Sequence, residues 1–134
     1  MQSKQVLTIS DVTQILDAAR AEAERNNWPV TIAIVDDGGH LLASLRLDEA
    51  APISAYIAVE KARTSALARR ESKQYEDMVN AGRTAFLSAP LVTSLEGGVP
   101  LLAHGQVVGA IGVSGVKPDQ DAQIAKAGAQ SIAV

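Results

Sequence analysis

The sequence predicts an α+β domain in which helices flank a mainly antiparallel sheet. Three features carry that expectation. Residues 9–26 repeat apolar side chains at helical spacing. A β-branched run over 30–35 turns through Asp36-Asp37-Gly38-Gly39 into an alternating run, and strands joined so closely must pair antiparallel. A helix rich in small residues follows Pro118.

The first helix takes Thr8 or Ser10 as its N-cap. Val12, Ile15, Leu16, Ala19 and Ala23 make its apolar face, while Arg20, Glu22, Glu24 and Arg25 fall mostly elsewhere. Asn26-Asn27 ends the pattern, and Pro29 discourages its continuation. The run from Val30 to Val35 suits a strand near the middle of a sheet. A strand over 40–47 then sets Leu41, Ala43, Leu45 and Leu47 on one face, with Ser44 and Arg46 on the other.

Pro52 fits the first turn of a second helix reaching residue 70, on which Ile53, Ile57 and Lys61 share one side. A short helix over 75–80 and a loop closed by Pro90 come next. Residues 91–95 read as a short strand, broken by Gly97-Gly98, and 99–103 read as another. His104-Gly105 returns the chain into a strand over 106–114, where Gly109 and Gly112 mark a bend or a close neighbour. The last helix covers 119–132. With the hairpin, the count is five strands in one domain, 1–134.

Composition narrows the chemistry. A chain of 134 residues fits one domain. It has no cysteine, which excludes disulfides, thiolate metal sites, iron–sulfur clusters and cysteine nucleophiles. A net charge of -3 argues against a general nucleic-acid surface, and 3% aromatic residues leave no stacking platform for single strands. No run reaches the ~18 apolar residues of a membrane span, and MQSKQVLT has no signal-peptide core, so a cytoplasmic protein is expected. There is no phosphate-loop lysine motif, no GxGxxG in a βαβ setting, and no HExxH for zinc. Ser114 lacks a nucleophile elbow. The small, apolar side chains suit close packing and burial in a homo-oligomer.

Three blocks carry a resemblance over nearly the whole chain. They are VDDGGHLLASLRLD at 35–48, VEKARTSAL at 59–67, and GGVPLL, GQVVGAIGVSG and PDQDAQIAKAG over 97–128. Together they resemble the GlcG/HbpS-like family, described as haem-binding or haem-degrading. The resemblance implies a profilin-like fold with a five-stranded antiparallel sheet, and homo-oligomers from dimer to octamer. It also implies haem as the leading ligand, although the family is associated with sensing, cobalamin-linked accessory domains and glycolate-utilisation clusters as well. Fold alone does not choose among these.

His40 and His104 are the only imidazoles and the leading candidates for haem iron, with Met78 and Tyr75 as less usual ligands. Arg46 and Lys61 would neutralise propionates, Arg46 with bidentate geometry. In the alternative reading the protein is a lyase- or isomerase-type enzyme acting on a small organic acid. There Arg46 holds the carboxylate, Lys61 or Asp121 moves a proton, and amides of the Gly97-Gly98 and 112–115 loops stabilise developing charge. A third reading is a non-catalytic sensory or partner module. The structural alternatives are an ion pair joining Lys61 to Asp121, an Arg46–Asp48 surface arrangement, and turn hydrogen bonds for Asp36 and Asp37.

Overall fold

The structure is a computed structural model that describes residues 1–134. Thr8 starts helix α1 (Ile9–Arg25) with a reciprocal cap: its Oγ1 accepts the Asp11 N–H at 3.2 Å, and the Asp11 carboxylate accepts the Thr8 N–H at 2.8 Å. Strands β1 (Thr31–Asp36) and β2 (Leu41–Arg46) form the expected hairpin. Helix α2 (Ser54–Ala68) follows, then helix α3 (Lys73–Asn80) and a 3₁₀ turn over Thr84–Ser88. Strands β3 (Gly98–Ala103) and β4 (Gln106–Ser114) make a second hairpin, and helix α4 (Pro118–Gln130) completes the chain. No helix is long and apolar enough to cross a membrane.

The sheet is antiparallel throughout, in the order β2-β1-β4-β3. It therefore has four strands, not five. The expected strand over 91–95 does not form, because other partners take up this segment's backbone. Leu91 has φ +60°, the Thr93 N–H donates to Thr64 Oγ1 at 2.8 Å, and Ser72 Oγ donates to the Leu95 carbonyl at 2.6 Å. Hydroxyl groups of α2 and of the residue before α3 hold this segment where a ladder was expected.

Alternation along β1 and β4 divides the core. Ile32, Ile34, Ile111 and Val113 face α1 and α4, meeting Ile15, Ala19 and Ile124, all fully buried. Val35 and Ala110 face the other way, onto Ala62 and Ala66 of α2. The sheet is thus sandwiched between α2 and the α1–α4 pair. Gly112 explains how closely α2 approaches: a Cβ there would stand 2.1 Å from the Ala58 carbonyl oxygen and 2.5 Å from the Ala62 nitrogen. The close neighbour expected at this glycine is the backbone of α2.

Gly112→Ala forces that helix outward. A loss of about 1–3 kcal/mol is expected from overpacking, read as a lower midpoint with an unchanged slope in urea unfolding.

Candidate functional site

Lys61 and Asp121 come together at one end of the sheet. Lys61 Nζ donates to Asp121 Oδ2 and to the Val113 carbonyl, each at 2.9 Å, and the two side chains are 5% and 3% exposed. The other carboxylate oxygen accepts the Val116 N–H at 3.1 Å. Asp121 lies in the first turn of α4, where the helix dipole favours negative charge. Burial pushes its carboxyl above the usual aspartate value, outweighing the pull of Lys61 and the Val116 N–H. The pair ties α2 to α4 from opposite faces of the sheet. Gly97, at φ +133°, leaves room for it, since a Cβ would fall 2.8 Å from Lys61 Nζ. The neighbouring Gly98 amide is already committed to Ser72 Oγ at 2.8 Å.

The histidines lie at the other end of the sheet. Both hairpin turns are there, because Asp36 at the end of β1 pairs with Gly109 near the start of β4. His40 is 80% exposed, and its Nδ1 stands 3.1 and 3.2 Å from the two Asp36 carboxylate oxygens. A carboxylate only accepts, so Nδ1 carries the proton and Nε2 is left free for a ligand. Asp36 also accepts the N–H groups of Gly38 at 2.9 Å and His40 at 3.0 Å. Burial alone would raise its carboxyl, but these donors together hold it below the usual aspartate value. His104, at φ +51°, is exposed in the β3–β4 turn, and its ring makes no hydrogen bond within the chain.

Arg46 joins neither group. It ends β2, about 20 Å from His40 at ~3.3 Å per residue, and it forms no ion pair, with Asp48 or any other acid. It borders an open cleft of about 420 Å³ shared with Arg20, Trp28, Leu45 and Asp48. Neither Lys61 nor Asp121 lines that cleft. Register places Ser44 and Arg46 on the sheet face that α2 covers, opposite Ala33 and Thr31. The outer side of α2 overhangs this edge, with Arg63 and Leu67 against Gly39 and with Ile53 and Tyr56 largely exposed. Exposed Leu41 and Leu42 follow His40 directly, and Leu67 of α2 stands against Gly39 just before it, so apolar surface flanks the imidazole, whereas Arg46 opens on the separate cleft beside α1. No three His, Asp or Glu side chains converge as a metal cage.

One feature of this region escaped the sequence reading. The Asp36–His40 pair was signalled by an Asp four residues before a His across a Gly-Gly turn.

The family model for haem-degrading proteins like HbpS matches residues 7–130. Protein GlcG of Escherichia coli is 60% identical over 114 residues, covering 85% of each chain. A crystal structure of PduOC in complex with haem superposes with a TM-score of 0.86 at 28% identity, covering 96% of both chains. A double mutant of Streptomyces reticuli HbpS gives a TM-score of 0.88 at 32% identity, covering 98% of this chain and 90% of that one.

Removing one member of the buried pair strands the other's charge. Asp121→Ala is expected to cost about 3–5 kcal/mol in urea unfolding, and the double change Lys61→Met with Asp121→Leu to recover most of that loss. Because its folded pKa is raised, Asp121 adds stability that is full below the unfolded value and is lost as pH rises through the folded one. Asp36 has the opposite sign, losing its contribution as pH falls through its lowered value.

Proposed function

We propose that this chain, which belongs to the HbpS-like family of haem-degrading proteins, binds haem against the apolar surface around the β1–β2 turn, with His40 as the axial ligand. The observation that carries the reading is the Asp36-held imidazole. A carboxylate on Nδ1 fixes the ring's tautomer and direction and makes Nε2 a better electron-pair donor, as carboxylates bonded to the far nitrogen of metal-binding histidines do. Leu41, Leu42 and Leu67 supply exposed apolar surface next to it. Arg46, without a carboxylate partner, is available for a propionate reaching along β2. The haem held by PduOC, in a structure matched over 96% of both chains, supports the same ligand here.

Lys61 takes no part in this site, because both of its hydrogen bonds close the core at the other end of the sheet. His104 is the second candidate ligand, but no partner orients its ring. Haem, once bound, supplies an iron centre for redox or oxygen chemistry. The chain's own residues orient the ligand nitrogen, shield one porphyrin face and balance the propionate charge. The role that follows is haem handling, storage or redox-linked regulation in a cytoplasmic, single-domain protein.

A second reading rests on the unpaired Arg46 guanidinium at the 420 Å³ cleft, where a small organic acid would dock beside Arg20 and Trp28. Lys61 and Asp121 are not available there for proton transfer.

Absorption titration of the apo-protein with haemin separates these readings. The wild type and His104→Ala should give a saturable Soret shift, which His40→Ala loses. Asp36→Ala should weaken binding about 10–100-fold, and Arg46→Ala by up to about fivefold, the size of an exposed ion pair. Loss in His104→Ala instead would overturn the ligand assignment. A linear, unsaturable change in every variant would overturn haem binding and leave the Arg46 cleft to be tested by calorimetry with small hydroxy- and keto-acids.

A further inference from the structure

The turn that carries His40 is fixed through one peptide plane. The Asp37 carbonyl accepts a hydrogen bond from Arg69 Nη1 at 2.5 Å, and the Gly38 N–H of the same peptide unit donates to Asp36 Oδ1 at 2.9 Å. A trans peptide is planar, with its C=O and N–H pointing opposite ways, so fixing one aims the other. Asp36 Oδ1 also faces His40 Nδ1 at 3.1 Å and accepts the His40 N–H at 3.0 Å. The ring lies over Gly38, where a Cβ would stand 2.9 Å from its Cε1. Arg69 reaches this turn from a costly position. It ends α2 in left-handed backbone, φ +58° and ψ +36°, where glycine is the usual residue. Its guanidinium is braced on the Ala66 carbonyl at 2.9 Å and stands 3.8 Å from the Asp37 carboxylate, which Lys4 Nζ meets at 3.0 Å.

We infer that Arg69 is a positioning residue for the ligand histidine: it holds the Asp37–Gly38 peptide so that Asp36 aims the His40 imidazole. This rests on the reading of His40 as the haem ligand and adds to it the group that sets the ring's direction. The guanidinium makes the end of α2 a fixed reference for a turn that projects into solvent, and Arg63 and Leu67 support Gly39 from the same helix. Without Arg69 the Asp37 carbonyl has no partner, because Lys4 reaches only the carboxylate. The peptide is then free to rotate and to take the Gly38 N–H off Asp36 Oδ1. The carboxylate loses a donor that orients it, and the imidazole loses its fixed direction.

The apo-protein gives the first readout, whatever it binds. At about pH 8.5, two units above an ordinary imidazole's pKa, long-range ¹H–¹⁵N spectra of the wild type should show His40 as a single Nδ1–H tautomer. Arg69→Gly removes the clamp and suits left-handed backbone, so its urea midpoint should hold or rise. In that variant the two His40 nitrogen shifts should move towards each other as both tautomers become populated. Haemin affinity should fall about threefold or more, short of the loss expected for Asp36→Ala. Arg69→Asn, which also tolerates this backbone, should do the same. Arg70→Ala should do neither, since the Arg70 side chain packs over the Tyr75 ring instead. A wild-type tautomer balance in Arg69→Gly would overturn the inference. So would a loss of affinity with the His40 shifts unchanged, or a change in those shifts that comes with a lower urea midpoint. A wild type that takes up no haemin, yet loses its single tautomer in Arg69→Gly, would uphold the role of Arg69 and overturn the haem reading alone.

Discussion

The approach of α2 to the sheet is the constraint on which the rest of the molecule depends. The helix sits so close that Gly112 and Gly98 have no room for a Cβ: at Gly98 it would stand 2.2 Å from the Lys61 carbonyl oxygen. Alanines at 58, 62 and 66 make the matching surface, which explains why so apolar a chain needs so few aromatics. The same approach brings Lys61 to the end of β4. There its ammonium passes the bare Gly97 and meets Asp121 on the far side. Close packing and the buried ion pair are two consequences of one geometry.

The molecule separates its polar chemistry by location. One end of the sheet spends two charged side chains on joining helices, through three hydrogen bonds made inside the chain. The other end keeps its imidazoles in exposed turns, and one of them is aimed by a neighbouring carboxylate. Burial decides the difference. A charge with little solvent access must be paired, so it serves structure, whereas an exposed and oriented nitrogen keeps its capacity to bind.

Strand β2 separates the two exposed polar groups that remain free for a ligand. His40 immediately precedes it, beside the exposed Leu41 and Leu42, and Arg46 ends it at the cleft beside α1. The imidazole and the guanidinium therefore start about 20 Å apart along one strand.

Much of this was legible in the residues. The hairpin at 36–39, the central β1, the amphipathic α1 and the glycine-marked β4 follow from periodicity and turn chemistry, which act within a few residues. The three sequence blocks carried the family likeness. The fate of 91–95 was not legible, because Thr64 and Ser72, distant in sequence, supply the hydrogen bonds that displace a strand. Nor could spacing alone separate Lys61 and Asp121 from Arg46, three polar residues that read alike as pocket candidates. Only the tertiary structure buried two of them together 60 positions apart and left the third in solvent. Burial and long-range pairing are properties of the packed whole, whereas local periodicity belongs to the chain itself.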